Sequence, residues 1–236
     1  MYIDIHSHLI FDVDDGSKSL EQSIKYLKEI KKINLNKVIC TPHMYYGRRE
    51  KILKIVENFK ILREEARKLG IELYLGNEIL YNEKTLELLQ NKKLTTLNKS
   101  DYLLIEFKRS ESMDIDSLID SLEEFIEAGY KVVLAHPELY INYRSISYMK
   151  KIKEIGVMLQ MDATSILRSK TNSKVYKFAK SLLKEKLVDI VASDSHCTKE
   201  RNFSSLKDAY KKIYKKDKNY ANIIFYENPL KIIEKN

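Results

Sequence analysis

The sequence predicts an α/β fold, a closed or partly closed (β/α) barrel in a single domain covering residues 1–236. Three observations carry this expectation. Seven short apolar runs alternate with longer amphipathic stretches, the pattern of parallel strands joined by right-handed helical crossovers. No glycine-rich phosphate loop follows the first run, which weighs against an open doubly wound sheet. The five histidines, His6, His8, His43, His136 and His196, all fall at or just past the C-terminal end of a run. That is the face on which parallel α/β folds carry their chemistry.

The elements follow in chain order. Tyr2–Ile5 opens a first strand through Met1–His8, which lacks the basic start and small-residue cleavage site of a signal peptide. Ser19 followed by Gln22 is the signature of a capping box, and Leu20, Ile24, Leu27 and Ile30 give that helix its apolar face. Lys37–Thr41 is the second strand. Ile52, Ile55, Phe59, Leu62, Ala66 and Leu69 define the next helix, which Gly70 ends before the strand Ile71–Gly76. Tyr102–Phe107 precedes a helix on Leu118, Leu122, Phe125 and Ile126, ended by Gly129 before the strand Lys131–Ala135. Val157–Met161, a helix on Val175, Phe178, Ala179, Leu182 and Leu183, and Asp189–Ser193 complete the series. Asn228–Ile233 is expected to be a short last helix started by Pro229.

Composition removes several classes. Hydrophobic residues at 44% and charged residues at 32% are ordinary for a globular chain and exclude disordered, collagen-like and fibrous readings. Cys40 and Cys197 are too few for a disulfide framework and lack metal-finger spacing. No apolar run reaches the roughly 18 residues of a membrane span. The expectation is a cytoplasmic protein without a transmembrane segment. The net charge of +8 comes from lysines spread over many helical stretches. Even the densest cluster, Lys211 to Lys218, encodes no base readout. The tyrosines lie in apolar patterns, so no base-stacking platform is present and no nucleic acid partner is expected. Nothing in the sequence fixes an oligomeric state.

The histidines have company. His6-Ser7-His8 places two imidazoles on one side of an extended chain, and Asp194-Ser195-His196 repeats the device with a carboxylate. Asp4 shares the parity of His6. Glu78 ends one apolar run, and Glu106 lies inside another, where a carboxylate is costly unless paired or bound to a cation. Asp12, Asp14 and Asp15 follow the first strand so closely that a cation would relieve their repulsion. Taken singly, each has a structural explanation: Asp12 as a turn cap, Glu106 as a partner of Lys108 or Arg109. Taken together, imidazoles and carboxylates on one rim point to Mn, Fe or Zn, and to two or three ions. A seryl or cysteinyl nucleophile is disfavoured. Ser7, Ser193 and Ser195 lie in no Gly-x-Ser-x-Gly elbow, and Cys40 points to the core.

These residues have a family likeness. Ile3-Asp-Ile-His-Ser-His8, Asp12-Val-Asp-Asp-Gly16 and Cys40-Thr-Pro-His43 resemble the PHP (polymerase and histidinol phosphatase) superfamily. So do Gly76-Asn-Glu78, Leu104-Ile-Glu-Phe107, Leu134-Ala-His-Pro-Glu138 and Ala192-Ser-Asp-Ser-His196, in family order. The Asp-Val-Asp-Asp-Gly and Leu-Ile-Glu-Phe segments resemble the branch of manganese-dependent bacterial protein-tyrosine phosphatases of capsule and exopolysaccharide biosynthesis. The likeness runs from residue 2 to about residue 230.

The resemblance implies a distorted (β/α)7 barrel of PHP type with up to three Mn2+ ions. By motif position His6, His8, Glu78 and Asp194 hold one ion. Glu78, Glu106 and His136 hold the second, and Asp15, His43 and His196 the third. Arg201 matches an arginine that meets the substrate phosphate, and His43 and His196 are candidates to assist the leaving group. Leu139 departs from the pattern, for relatives carry an arginine there. Arg144, or Arg48 or Arg49, are the candidates to replace it, since leucine cannot make a bidentate phosphate contact. A second departure is Arg201-Asn202-Phe203, where relatives often have prolines after the arginine.

The function so implied is hydrolysis of a phosphotyrosine ester by metal-activated hydroxide, on the tail of a membrane-associated bacterial tyrosine kinase. A small-molecule phosphatase, such as histidinol phosphatase, is the alternative on the same centre. A weakly active or non-catalytic phosphotyrosine-binding relative is a third reading, kept open by Leu139.

Overall fold

The computed structural model describes residues 1–44, 46–108, 114–140, 144–167 and 174–234. Its strands are β1 (Lys37–Cys40), β2 (His43–Met44), β3 (Glu72–Leu75), β4 (Glu78–Leu80), β5 (Tyr102–Glu106), β6 (Lys131–Ala135), β7 (Met158–Asp162) and β8 (Ile190–Ala192). All pair in parallel, β1 with β3, and the others in the order β2-β4-β5-β6-β7-β8. The expected second and third strands appear as β1 and β3, and each is followed, after an interruption, by a short strand beyond its expected end. Thr41-Pro42 separates β1 from β2, and Gly76-Asn77 separates β3 from β4. Pro42 has no N–H to give a ladder, which accounts for the first interruption.

The expected first strand is not a ladder strand. Residues 3–8 make single parallel bridges, Asp4 with Val38 and Ser7 with Ser195. On one side Ile39 N–H donates to the Asp4 carbonyl and Thr41 N–H to that of Ser7, both at 2.8 Å. On the other, His8 N–H donates to the Ser195 carbonyl at 2.8 Å and Asp194 N–H to that of His6 at 3.0 Å. The segment therefore lies between β1 and the end of β8, joined to each by isolated bonds. The fold is the expected parallel, helix-covered α/β arrangement.

Side-chain parity explains how this sheet positions a site. Val38, Cys40, Leu103, Ile105, Val132, Leu134, Leu159, Met161 and Val191 belong to the large core under the helices. The alternating residues Ile39, Leu104, Val133, Ala135, Ile190 and Ala192 form a second, smaller core. Strands buried on both faces read as continuous apolar runs, which is why the sequence revealed them. Glu106 shares the parity of Leu104, Asp194 that of Ala192, and Glu78 opposes Ile79, so these carboxylates continue the inner face beyond its apolar floor.

The helices are α1 (Leu20–Lys32), α2 (Arg49–Lys68), α3 (Thr85–Gln90), α4 (Ile115–Glu127), α5 (Ile146–Glu154), α6 (Ala163–Leu167), α7 (Lys174–Lys184), α8 (Ser204–Tyr214), α9 (Lys218–Asn222) and α10 (Asn228–Ile233). α1, α2, α4 and α7 match the expected amphipathic stretches. Ser19 caps α1 by accepting Gln22 N–H at 3.2 Å, while Gln22 Oε1 reaches back to Lys18 N–H at 2.8 Å, one residue further than a capping box requires. Gly70, at φ 70°, ends α2 as expected. No described helix is long and apolar enough to cross a membrane.

The last helix, α10, has the expected bounds and carries Pro229 in its first turn. α9 passes through a π-helical turn, Ile223–Glu227, directly into α10. Without an N–H, Pro229 cannot serve the Phe225 carbonyl four residues back. That carbonyl instead accepts the N–H of Ile3 at 2.8 Å, fixing the segment that carries His6 and His8.

Candidate metal centre

All nine expected ligands come together at the C-terminal ends of the strands, with Glu78 at the hub. Its Oε2 lies 3.2 Å from His6 Nε2, 3.2 Å from His8 Nε2 and 2.9 Å from His43 Nδ1. Its Oε1 lies 3.0 Å from His136 Nε2. Asp194 Oδ1 is 3.4 Å from His6 Nε2 and 3.4 Å from His196 Nδ1. Glu106 Oε1 is 3.5 Å from His136 Nε2. Asp15 Oδ1 faces His196 at 3.3 Å and His43 at 3.5 Å, both through Nε2.

Donor atoms in three groups lie within 4.8 Å of one another: His8, Asp15, His43 and His196; His6, His8 and Asp194; His43, Glu78 and Glu106. These groups share His8 and His43, where the family likeness shares Glu78, and His43 lies beside Glu78 as well as beside Asp15. The local chemistry fits cations. Glu78 Oε2, Asp194 Oδ1 and His196 Nε2 are buried and make no hydrogen bond, although acceptors and imidazole nitrogens crowd round them. Buried polar atoms are otherwise almost always satisfied. Buried lone pairs left free beside other oxygen and nitrogen donors, one in each of the three groups, are what bound divalent ions require.

The backbone is bent to aim these groups. His136 (φ 34°) and Asp194 (φ 47°) both occupy the left-handed region, at a cost of about 1–2 kcal/mol each. The turn at His136 swings it off the parity of β6. Tyr140 pins that loop, its hydroxyl donating to the Ala135 carbonyl and accepting Phe107 N–H, both at 3.0 Å. Gly16 brings the acidic loop onto His8: a Cβ there would lie 2.2 Å from the His8 carbonyl oxygen.

The acidic triplet divides its labour. Asp12 turns outward, 2.8 Å from Lys54. Asp14 holds His8 Nδ1 at 2.7 Å and accepts His43 N–H at 3.1 Å, a supporting role that the sequence did not single out. Burial opposes its ionisation, yet the bond to His8 holds its carboxyl down at about 2. Asp15 is also held low, first by the His196 ring that faces it. Burial works against charge on His8 and His136, but neighbouring carboxylates prevail, and His136 is pushed up to about 10. Glu78 is held well below its ordinary range, against burial, by the surrounding imidazoles. Burial pushes the Cys40 and Cys197 thiols up, the latter to about 12, so neither is an activated nucleophile.

Asp4 supports backbone instead of a ring. It accepts N–H groups from His6 at 3.3 Å and Ser193 at 3.0 Å, and burial raises it to about 6. Arg201 reaches the centre, its guanidinium paired with the Asp194 carboxylate. Arg144 does not point inward: Nε donates to the Glu138 carbonyl at 3.1 Å and Nη2 to that of Leu139 at 3.5 Å. Arg48 and Arg49 are exposed at the start of α2. Arg109 lies outside the described residues. Sequence reasoning missed Gln160, Asp162 and Glu138, all buried beside the cluster. The signal was there for Gln160, a polar residue inside an otherwise apolar run.

A family model for capsular polysaccharide synthesis, CpsB/CapC, matches residues 2–234. The tyrosine-protein phosphatase CpsB of Streptococcus agalactiae serotype III (strain NEM316) is 36% identical over 245 aligned residues, 98% of each chain. A crystal structure reported for YwqE from Bacillus subtilis and CpsB from Streptococcus pneumoniae, called unique metal-dependent tyrosine phosphatases, superposes with a TM-score of 0.84. It is 24% identical and covers 98% of this chain and 94% of that one. The phosphotriesterase from Mycobacterium tuberculosis shares the fold more distantly, with a TM-score of 0.61 at 12% identity over 99% and 94% of the two chains.

Proposed function

The chain belongs to the CpsB/CapC family of capsular polysaccharide synthesis, and from that membership we propose that it is a metal-dependent protein-tyrosine phosphatase. The observation that carries the proposal is Glu78, a buried carboxylate within 3.2 Å of four imidazoles, with one oxygen left without a hydrogen bond. The nine residues His6, His8, Asp15, His43, Glu78, Glu106, His136, Asp194 and His196 would hold two or three divalent ions, with manganese the proposed metal. Such ions lower the pKa of bound water to near neutrality and offset charge at a phosphoryl group.

The chain's own residues supply the rest. Arg201 is part exposed (32%) while its guanidinium rests on Asp194, so it stands between the buried cluster and solvent. There it can meet equatorial phosphoryl oxygens with two N–H groups. His43 is also part exposed (15%), unlike His6, His8 and His136, and with His196 flanks Asp15 at the mouth. Either of these two, where a cation does not fully engage it, is the proposed proton carrier for the departing phenol. A phenol of pKa about 10 leaves with little help, so the demand on them is small.

The proposed substrate is the phosphotyrosine tail of a membrane-associated bacterial tyrosine kinase, met in the cytoplasm. The net charge of +8 favours such an anionic tail. The test is phosphate release by metal-stripped protein given manganese, iron or zinc in turn, on a phosphotyrosine peptide and on histidinol phosphate. Manganese-stimulated release with preference for the peptide is expected. A preference for histidinol phosphate would replace this reading with the small-molecule one, and no release with any metal would leave only a binding role.

A further inference from the structure

β7 contributes none of the nine candidate ligands, yet two of its side chains, Gln160 and Asp162, are buried against them. They oppose Leu159 and Met161 of the outer core and so face inward. Gln160 Oε1 lies 2.9 Å from His6 Nδ1, and Gln160 Nε2 lies 3.2 Å from Asp162 Oδ1. Asp162 is held in turn, its N–H donating at 2.9 Å to Oε1 of Glu138, in the loop that follows His136.

We infer that Gln160 is a positioning residue that locks His6 in its Nδ1–H tautomer and thereby presents the Nε2 lone pair to the cations. The inference rests on the metal-dependent reading above. A glutamine amide can lie either way round, and the two ends differ: one accepts, the other only donates. In the structure the NH2 end of Gln160 donates to Asp162 Oδ1 and the carbonyl end faces His6. The imidazole then has to donate from Nδ1. Its Nε2 is left as a lone pair, 3.2 Å from Glu78 Oε2 and 3.4 Å from Asp194 Oδ1. The opposite tautomer would put an N–H among those oxygens, and a protonated nitrogen cannot bind a metal.

The neutral amide also suits the charge of the site. His8 takes a carboxylate, Asp14, as its Nδ1 partner, and His196 a backbone carbonyl, that of Asp194, at 3.2 Å. His6 is fully buried beside Glu78 and Asp194, with Asp162 behind Gln160, where a further carboxylate would add uncompensated negative charge. A glutamine supplies the acceptor without it. β7 thus braces the site although it holds none of the nine candidate ligands.

The test is calorimetric titration of Mn2+ into the metal-stripped full chain. Gln160→Met, which keeps the volume and removes the acceptor, is expected to weaken binding about 10- to 100-fold while the melting temperature of the metal-free protein changes little. Asp162→Asn, which keeps a carbonyl oxygen toward Gln160, should bind like the parent, whereas Asp162→Leu frees the amide to turn over and should bind as weakly as Gln160→Met. Equal affinity in the parent and Gln160→Met would overturn the inference, as would an Asp162→Leu variant that binds like the parent. Failure of the parent chain itself to bind manganese would overturn the metal-dependent reading, a distinguishable result.

Discussion

Asp4 and Ser193 are joined twice: the carboxylate accepts the Ser193 hydroxyl at 2.5 Å and the Ser193 N–H at 3.0 Å. The same carboxylate accepts His6 N–H at 3.3 Å. Residues 189 apart in the chain thereby set the spacing between the segment bearing His6 and His8 and the segment bearing Asp194 and His196. Asp4→Ala leaves two buried N–H groups, those of His6 and Ser193, unserved, and the Ser193 hydroxyl with only the His6 carbonyl at 3.4 Å. It is expected to lower the unfolding free energy by about 2–4 kcal/mol, measured by urea titration. A change below about 0.5 kcal/mol would show that water or a rearranged backbone replaces the carboxylate.

His136 touches two carboxylates of the centre, Glu78 and Glu106. His136→Ala is expected to lower phosphotyrosine hydrolysis by more than about 100-fold. It should also reduce the manganese bound per chain in elemental analysis, with the far-ultraviolet circular dichroism of the parent. Full activity in this variant would remove His136 from the ligand set.

Arg201 rests on Asp194 and faces solvent on its other side. Arg201→Ala is expected to lower kcat/KM for a phosphotyrosine peptide about 100-fold, the effect of removing one preorganised donor. Arg201→Lys should recover part of this, because an ammonium keeps the charge and loses the fork. A loss confined to manganese binding would instead assign Arg201 to holding Asp194 in place.

Protons and metal compete for the same nitrogens. In the metal-free chain, carboxylates raise His8 and His136 above the ordinary imidazole value of 6.5, His136 to about 10. Both must lose protons to bind a cation, so manganese affinity should rise with pH, and binding should release protons. Titrations in two buffers of different ionisation enthalpy measure that release directly. The metal-free fold behaves oppositely. The stabilisation from a raised His136 is complete below pH 6.5 and is lost as pH rises from 6.5 to about 10. The metal-free parent should therefore lose more melting temperature between pH 6.5 and 9 than His136→Gln does.

Much of this architecture was legible because both-face burial writes strands as apolar runs, and amphipathic helices write their inner faces at helical spacing. Histidines and carboxylates at the ends of those runs stood out against their apolar surroundings. Other features lay beyond local pattern. The break at Pro42 hides β2, whose two residues are too short to register. The first strand holds by single bridges to partners that only the fold brings near. Pro229 marks the last helix, but its role depends on Ile3, over two hundred residues away in sequence, claiming the Phe225 carbonyl. Asp14 and Asp15 are adjacent and chemically alike, and only the loop geometry assigns one to support His8 and the other to face His43 and His196. Arg144 lies in the loop expected to replace the missing arginine, yet backbone carbonyls of that loop already hold it.

The central claim is that nine side chains from distant parts of the chain form one cage for divalent cations. The most direct measurement is anomalous diffraction at the manganese edge from crystals grown with the metal. Two or three peaks are expected among His6, His8, Asp15, His43, Glu78, Glu106, His136, Asp194 and His196, with Glu78 touching more than one. Crystals soaked in manganese that show no peak within bonding distance of Glu78 would contradict the account.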